Sequence, residues 1–497
     1  MSCTDLETCL SAVMCPYARS HSFSANTPKM LISKAIGRAT WAHGAGMGEA
    51  ARHDDGKTGT ASTDSITRCT LRFIDLFAGI GGIRKGFELA CDDAGIAHEC
   101  VFTSEIKPYA VDVLKQNHPK DKITGDITKV AEEDIPDCDI VLAGFPCQAF
   151  STAGKRRGFE DTRGTLFFDV ARIIRAKQPM GFVLENVEGL VTHDRERRTD
   201  RIGRTLSTIL KTLEELGYSV TWKVINAADM GVPQSRRRIY IVGTRNGRHV
   251  SLDGLPTSHV PVGDVLEHGL PLDNSEFVMS LLSHFTMDEI VGKQIKDKRG
   301  GSGNIHSWDF GMKGDVTAEE KRLMDAILAK RRNKCWAEQY GIRWMDGMPL
   351  TTDMIRTFWD DDGTLQQMLD DLVMKGYLVL EHPKDLIDGR RQQVTSLPLG
   401  YNIVTGKLSF RVNQVLDPNG IAPTLVAMDM SHIYVPDSTG IRPMSLREGL
   451  RMFGYPDDFK FDVDTRHGYD LLGNTVVVPV IRAVSSRLLT ALCVSKA

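Results

Sequence analysis

From Leu71 onward the chain alternates two textures. Short apolar runs stand at Phe73-Ile-Asp-Leu-Phe77, Cys100-Val-Phe-Thr-Ser104, Asp139-Ile-Val-Leu-Ala143 and Gly181-Phe-Val-Leu-Glu185. They are continuous rather than alternating, the pattern of strands covered on both faces. Between them apolar residues recur at helical spacing, with Ile83, Phe87 and Ala90 on one face and Leu166, Val170, Ile173 and Ile174 on another. This alternation predicts an α/β fold, a doubly wound and mostly parallel sheet with helices on both sides. Two further runs, from Tyr218 to Val224 and from Arg238 to Val242, are close enough to pair near the sheet edge. They bracket Pro233-Gln-Ser-Arg-Arg-Arg238.

The rest of the chain reads differently. Residues 1–70 mix Ser, Thr, Gly, Ala and His without sustained periodicity, as a low-order extension does. Over 251–440, Gly300-Gly-Ser-Gly303 is a flexible break, and helical periodicity returns at Glu319 to Lys334. It returns again at Leu365, Met368, Leu369, Leu372 and Val373, ends at Gly376, and gives way to a strand at Tyr377 to Leu380. Helix, helix and strand in that order are compatible with a winged-helix-like insert. Residues 441–497 become compact again, with a helix at Leu446 to Met452, a turn at Gly473-Asn-Thr475 and a closing helix from Val480 to Leu492. A chain of 497 residues exceeds one ordinary core. The expected division is an extension (1–70), a first domain (71–250), a second and smaller one (251–440), and a C-terminal segment (441–497) that completes the first.

Composition narrows this little. Hydrophobic residues are 41% and charged residues 25%, as in ordinary globular proteins. No run of about 20 apolar residues suggests a membrane span, and the start has no basic-led apolar segment of a secretory signal. Ten cysteines without a Cys-x-x-Cys pair argue against structural zinc and a disulfide framework, and for a reducing compartment. Cys3, Cys9 and Cys15 lie six apart, but a loose tail is the better reading than a metal site. With a net charge of −3, any nucleic-acid surface must be local.

Four segments carry chemistry. Asp75-Leu-Phe-Ala-Gly-Ile-Gly-Gly82 is a strand running through glycines into a helix, which lets backbone approach a ligand at the sheet's carboxyl edge. No Gly-Lys-Ser/Thr follows, so it is not a P-loop. Glu105 ends the next strand, where ribose hydroxyls are gripped in such folds. Gly144-Phe-Pro-Cys-Gln-Ala-Phe-Ser151 places Cys147 in a loop at the same edge, with Lys155-Arg-Arg157 and Arg163 near in sequence to favour a thiolate. The bland alternative is a buried structural cysteine. Leu184-Glu-Asn-Val187 sets Glu185 at a strand end, where a partly desolvated acid can stay protonated and donate to a ring nitrogen. Strand alternation in Gln234-Ser-Arg-Arg-Arg-Ile-Tyr240 places Gln234, Arg236 and Arg238 on one face, fit for a phosphate or a base. A solvated basic edge is the plainer reading.

Together with the late Gly473-Asn-Thr475, and in this order, these segments resemble the cytosine carbon-5 DNA methyltransferases over roughly residues 71–245 and 440–492. The resemblance implies the Rossmann-like fold of S-adenosylmethionine-dependent methyltransferases, with a target-recognition domain in the insert. It implies that Cys147 attacks carbon 6 of cytosine and that Glu185 contacts ring nitrogen 3. Arg236 would hold the base and the activated intermediate, with Arg238 the second arginine of the motif. Phe77, Gly79, Gly81 and Pro146 would line the S-adenosylmethionine pocket, Glu105 would take the ribose hydroxyls and Asp126 the adenine amine. Asn474 and Thr475 would complete that pocket. Ser151, Arg163, Gln234 and Thr424 would lie at the DNA.

The partner implied is double-stranded DNA, in a restriction–modification setting with an endonuclease that forms no stable complex. The implied enzyme is a cytoplasmic monomer that needs no metal. A tRNA cytosine methyltransferase would share the fold, but its Cys-Phe-Thr element is not found. A silent DNA-binding protein needs no nucleophile, and a nicotinamide dehydrogenase leaves Pro-Cys-Gln and Glu-Asn-Val unexplained.

Overall fold

The structure, a computed structural model, describes residues 70–146, 166–245, 247–297, 303–343, 347–360, 362–404 and 410–493. The expectations for residues 1–69, including Cys3, Cys9 and Cys15, lie outside these, as do those for Cys147, Ser151 and Arg163.

The first strands form where the apolar runs stand: β1 Leu71–Leu76, β2 His98–Ser104, β3 Ile123–Thr124, β4 Ile140–Ala143, β5 Gly181–Val187, β6 Ser219–Asn226 and β7 Arg237–Thr244. They make one seven-stranded sheet in the order β3-β2-β1-β4-β5-β7-β6. Pairing is parallel from β3 through β5, and β7 runs antiparallel to both β5 and β6. Helices α1 Gly82–Asp93, α2 Pro108–Asn117, α3 Leu166–Lys177 and α4 Arg204–Glu215 alternate with the strands. Successive residues of β1 point to opposite faces. Phe73 joins Ile83, Phe87, Leu142 and Val183 in one buried layer, while Ile74 and Leu76 join Phe167, Val170, Ile173, Leu206 and Ile209 in the other. Two apolar layers on one sheet are what the continuous runs require, and the fold is doubly wound.

The insert contains α5 Glu276–His284, α6 Met287–Ile290, β8 Gln294–Ile295, β9 Asn304–Ile305, α7 Ala318–Lys330, α8 Cys335–Tyr340, α9 Thr352–Arg356 and α10 Leu365–Met374. It continues with β10 Leu378–Glu381, β11 Lys384–Ile387, β12 Arg390–Gln393, β13 Gly400–Ile403 and β14 Gln414–Val415. Trp308, Leu323, Met324, Ile327, Leu369, Leu372 and Tyr377 form a buried cluster of its own. β10 pairs antiparallel with β13, and β11 with β12. The helix expected from Glu319 to Lys334 stops at Lys330, with Arg331 as its C-cap. Arg331 is buried and donates to Asn402 Oδ1 at 2.6 Å. It is therefore withdrawn from the surface cluster that the basic run Lys330 to Lys334 suggests.

The chain returns through β15 Ile433–Asp437, β16 Gly440–Pro443, α11 Leu446–Met452, α12 Thr465–Asn474 and α13 Val478–Cys493. Thr465–Leu492 is long and apolar enough by composition to cross a membrane, which the sequence reading did not register. It is two helices, and Val480, Ile481, Val484 and Leu488 are buried in the same layer as Phe73 and Phe87. Helix α13 crosses α1 at Gly86, where a Cβ would lie 2.5 Å from Ile481 Cβ.

Candidate active site

The strand order reverses between β1 and β4, so their carboxyl ends open a crevice there. Register puts the site in one row. Leu76 pairs with Ser104 and with Ala143, and Ala143 pairs with Leu184. The next residues along these strands are Phe77, Glu105, Gly144 and Glu185.

On the β1–β2 side the backbone turns sharply. Phe77, Gly79 and Gly81 have φ of 56°, 55° and 80°. For the phenylalanine that costs about 1–3 kcal/mol, a strain typical of ligand sites. Gly79 N donates to Glu105 Oε2 at 2.7 Å, and Ile106 N and Lys107 N each donate to Glu105 Oε1 at 2.8 Å. The Glu105 carboxylate is thus held rigid at the end of β2, with lone pairs left to accept. Asp126 follows β3 and caps the next turn by accepting from Thr128 N and Oγ1. Pro146 is exposed at the end of the β4 loop.

The C-terminal segment closes this side. Thr475 Oγ1 hydrogen-bonds Tyr455 Oη at 2.7 Å, and a Cβ on Gly82 would lie 2.9 Å from that Thr475 oxygen. Asn474 donates to the Asp470 carbonyl, while Lys107 Nζ and Tyr109 Oη both donate to the Asp470 carboxylate at 2.7 Å. Asn474 is the last residue of α12, and Thr475 begins the turn, two residues later than the sequence pattern suggests.

Two residues escaped the sequence reading. Asp75 is fully buried, and neither carboxylate oxygen has a partner among the described residues. Burial pushes its carboxyl up to about 8, against the pull of Arg84 and with help from Glu88 and Glu105. The only sequence signal was an acid inside an apolar run. Ile106 is 69% exposed beside Glu105, a wide apolar surface next to a polar anchor.

On the β4–β5 side, Asn186 Nδ2 donates to Phe145 O at 2.9 Å and so fixes the loop that leads to Cys147. A Cβ at Gly144 would lie 3.8 Å from Glu185 Oε2, so the carboxyl lies against the start of that loop. Burial pushes Glu185 up, opposed by Arg238 and then Arg236. Arg238 Nε stands 3.3 Å from Glu185 Oε1.

Gln234 and Arg236 are placed otherwise than expected. β7 begins only at Arg237, so strand alternation does not reach them. Gln234 is fully buried, its Nε2 donating to Met452 O and its Oε1 accepting from Leu425 N. Both ends of its amide are thus engaged within the fold. Arg236 is 4% exposed and donates to the carbonyls of Leu425, Gly473 and Thr475. Of the two arginines it is Arg238 that stands beside Glu185. Thr424 Oγ1 donates to Ser235 O at 2.7 Å, which ties the insert's return to the same segment.

A strained glycine turn, a carboxyl held by three backbone N–H groups and a desolvated acid beside an arginine lie on one edge of a doubly wound sheet, the edge where such folds take their ligands. The model of the C-5 cytosine-specific DNA methylase family matches residues 71–490, and the chain belongs to that family. It is a methyltransferase of a kind that draws on S-adenosylmethionine. The Type II methyltransferase M.NlaIV of Neisseria lactamica is 60% identical over 85% of this chain and 99% of its own. M.NgoBV of Neisseria gonorrhoeae, also a Type II methyltransferase, is 59% identical over the same shares. M.HgiCI of Herpetosiphon aurantiacus is 40% identical over 83% of this chain and 96% of its own.

Proposed function

We propose that this chain transfers a methyl group to carbon 5 of a cytosine swung out of double-stranded DNA at one short sequence. It does so through a covalent adduct with Cys147, as the modification half of a restriction–modification system. The observation that carries this reading is Glu185: a carboxyl raised by burial, 3.3 Å from Arg238, on the strand end that Asn186 ties to the loop before Cys147.

Carbon 5 of cytosine is a poor nucleophile until a thiolate adds at carbon 6. The Cys147 sulfur forms that bond while the proton on Glu185 passes to ring nitrogen 3. The electron pair then rests on carbon 5 instead of building charge on the ring. When bound, S-adenosylmethionine would supply the methyl group as an electrophilic sulfonium, its sulfur keeping the bonding pair as it leaves as S-adenosylhomocysteine. Loss of the carbon-5 hydrogen as a proton to solvent restores the double bond and expels the Cys147 thiolate, and nitrogen 3 returns its proton to Glu185. Arg238 orients Glu185 and the base beside it. None of this reaches a stacked base, so the cytosine leaves the helix at a cost of a few kcal/mol, on the order of one unstacking step.

The residues fit the donor. Phe77, Gly79, Gly81 and Pro146 would line its pocket, with Glu105 on the ribose hydroxyls, Asp126 on the adenine amine and Ile106 against the ring. Asn474 and Thr475 would close it. Asp75, buried without a hydrogen-bond partner among the described residues, would be a place for the donor's ammonium group. Ser151, Arg163 and Thr424 would meet DNA, and the insert would choose the sequence. The enzyme would act as a cytoplasmic monomer alongside a matching endonuclease.

Loss of the carbon-5 hydrogen cannot occur when fluorine replaces it, so DNA built with 5-fluorodeoxycytidine should trap the adduct. A denaturation-resistant protein–DNA band that needs the donor and vanishes in Cys147→Ser is expected. Methylation of ordinary DNA without such a band would contradict the covalent route.

A further inference from the structure

The segment Pro233–Arg236 joins three parts of the chain that are distant in sequence. Toward the insert's return, Ala422 N donates to Pro233 O at 2.9 Å and Ser235 N donates to Ala422 O at 2.8 Å. Leu425 N donates to Gln234 Oε1 at 3.1 Å, Thr424 Oγ1 to Ser235 O at 2.7 Å, and Arg236 Nη1 to Leu425 O at 2.8 Å. Toward the C-terminal segment, Gln234 Nε2 donates to Met452 O at 3.1 Å. Arg236 Nη2 donates to Gly473 O at 3.2 Å and to Thr475 O at 2.9 Å. Two residues further along, Arg238 faces Glu185.

The chemistry of Arg236 is unusual for a structural brace. Its guanidinium is buried, makes no ion pair among the described residues, and leaves Nε without a partner there. The Phe453 ring lies 5.2 Å below it. Burial pulls it down to about 10, so it remains a cation at neutral pH. Burying an unpaired charge is expensive, and a neutral amide could bridge two carbonyls more cheaply. Only a planar fork with several fixed donors reaches carbonyls on two segments at once. The two segments also touch directly, because a Cβ on Gly473 would lie 2.0 Å from Ala427 N. Thr475 in turn bonds Tyr455 over the start of α1, at the donor pocket.

We infer that Arg236, with Gln234, is a positioning residue that couples the donor pocket to the DNA-facing insert, through one guanidinium shared by the Thr475 turn and the Leu425 return. It does not touch the base. Ordering the turn around the donor fixes one side of the fork, so the return segment has less freedom left to lose when DNA arrives. By linkage the effect is reciprocal: DNA tightens the donor by the same factor. This rests on the reading of the Thr475 turn as donor pocket and of the insert as DNA surface.

The test is binding of a labelled plasmid fragment at fixed salt, with and without saturating S-adenosylhomocysteine, for the full chain and for Arg236→Lys. Lysine keeps the charge and loses the fork. The parent should bind DNA at least about tenfold tighter with S-adenosylhomocysteine, and the variant's ratio should fall toward one, with KM for DNA rising more than kcat falls. Thr424→Val removes one bond of the junction at nearly constant shape, and it should lower the ratio part of the way even if Arg236→Lys folds poorly. An undiminished ratio in a folded variant, a fall in kcat alone, or a parent ratio near one would overturn the inference. A parent that binds neither ligand would instead overturn the function on which the inference rests.

Discussion

Asp75 and Glu185 show how the same physical push serves two ends. Both carboxyls are raised by burial. Glu185 has an arginine beside it and an open neighbour in Gly144, whereas Asp75 has no hydrogen-bond partner among the described residues. The Asp75 value in the fold, about 8, lies above its ordinary 3.8. The stability it contributes is therefore complete below about pH 4 and is lost as pH rises through about 8. Asp75→Asn removes that loss, so its Tm advantage over the parent should grow from about pH 5 to about pH 9. The same variant should bind S-adenosylhomocysteine more weakly, because an amide cannot balance an ammonium. A pH-independent Tm difference would contradict the assigned ionisation. Glu185 was legible in the sequence because an acid at the end of an apolar strand, followed by Asn-Val, has a defined place at the sheet edge. Asp75 was not, because one acid within such a run reads as a polar interruption until its lack of partners is seen.

At the scale of elements, the continuous apolar runs and helical spacings translate into β1, β2, β4, β5, α1 and α3 within a few residues, since burial on two faces leaves few other solutions. Gln234 to Arg236 did not join the strand, because the bonds that hold them come from Ala422, Leu425, Met452 and Thr475. No local pattern carries side-chain partners 189 to 239 residues away, so alternation was extended three residues too far upstream. Arg331, which local spacing alone would leave on a helix surface, is likewise drawn in by a distant partner, Asn402. The closing helix makes a prediction of its own. At Gly86 an added Cβ would meet Ile481 Cβ at 2.5 Å and Val478 O at 2.8 Å, and the backbone oxygen cannot swing aside. Gly86→Ala should cost about 1–3 kcal/mol in urea unfolding, as overpacking does. No loss would mean that α1 and α13 are not so close.

At the scale of the whole molecule, the site is assembled from both ends of the chain around an insert. In the proposed reading Glu105 and Thr475 serve the donor and Glu185 and Arg238 the base, while Thr424 ties the insert's return to the segment before β7. A net charge of −3 gives no general attraction to DNA, so engagement must come from local surfaces and from the sequence that the insert accepts. The central claim is that this arrangement methylates carbon 5 of cytosine at one sequence with Cys147 as nucleophile and Glu185 as acid. Bisulfite sequencing of a plasmid propagated in methylation-deficient bacteria tests it most directly, with the parent chain beside Cys147→Ser and Glu185→Gln. Protected cytosines in one short repeated context, absent with Cys147→Ser and reduced at least about a hundredfold in rate with Glu185→Gln, are the predicted result. Protection that persists in Cys147→Ser, or none from a folded parent that binds S-adenosylhomocysteine, would contradict it.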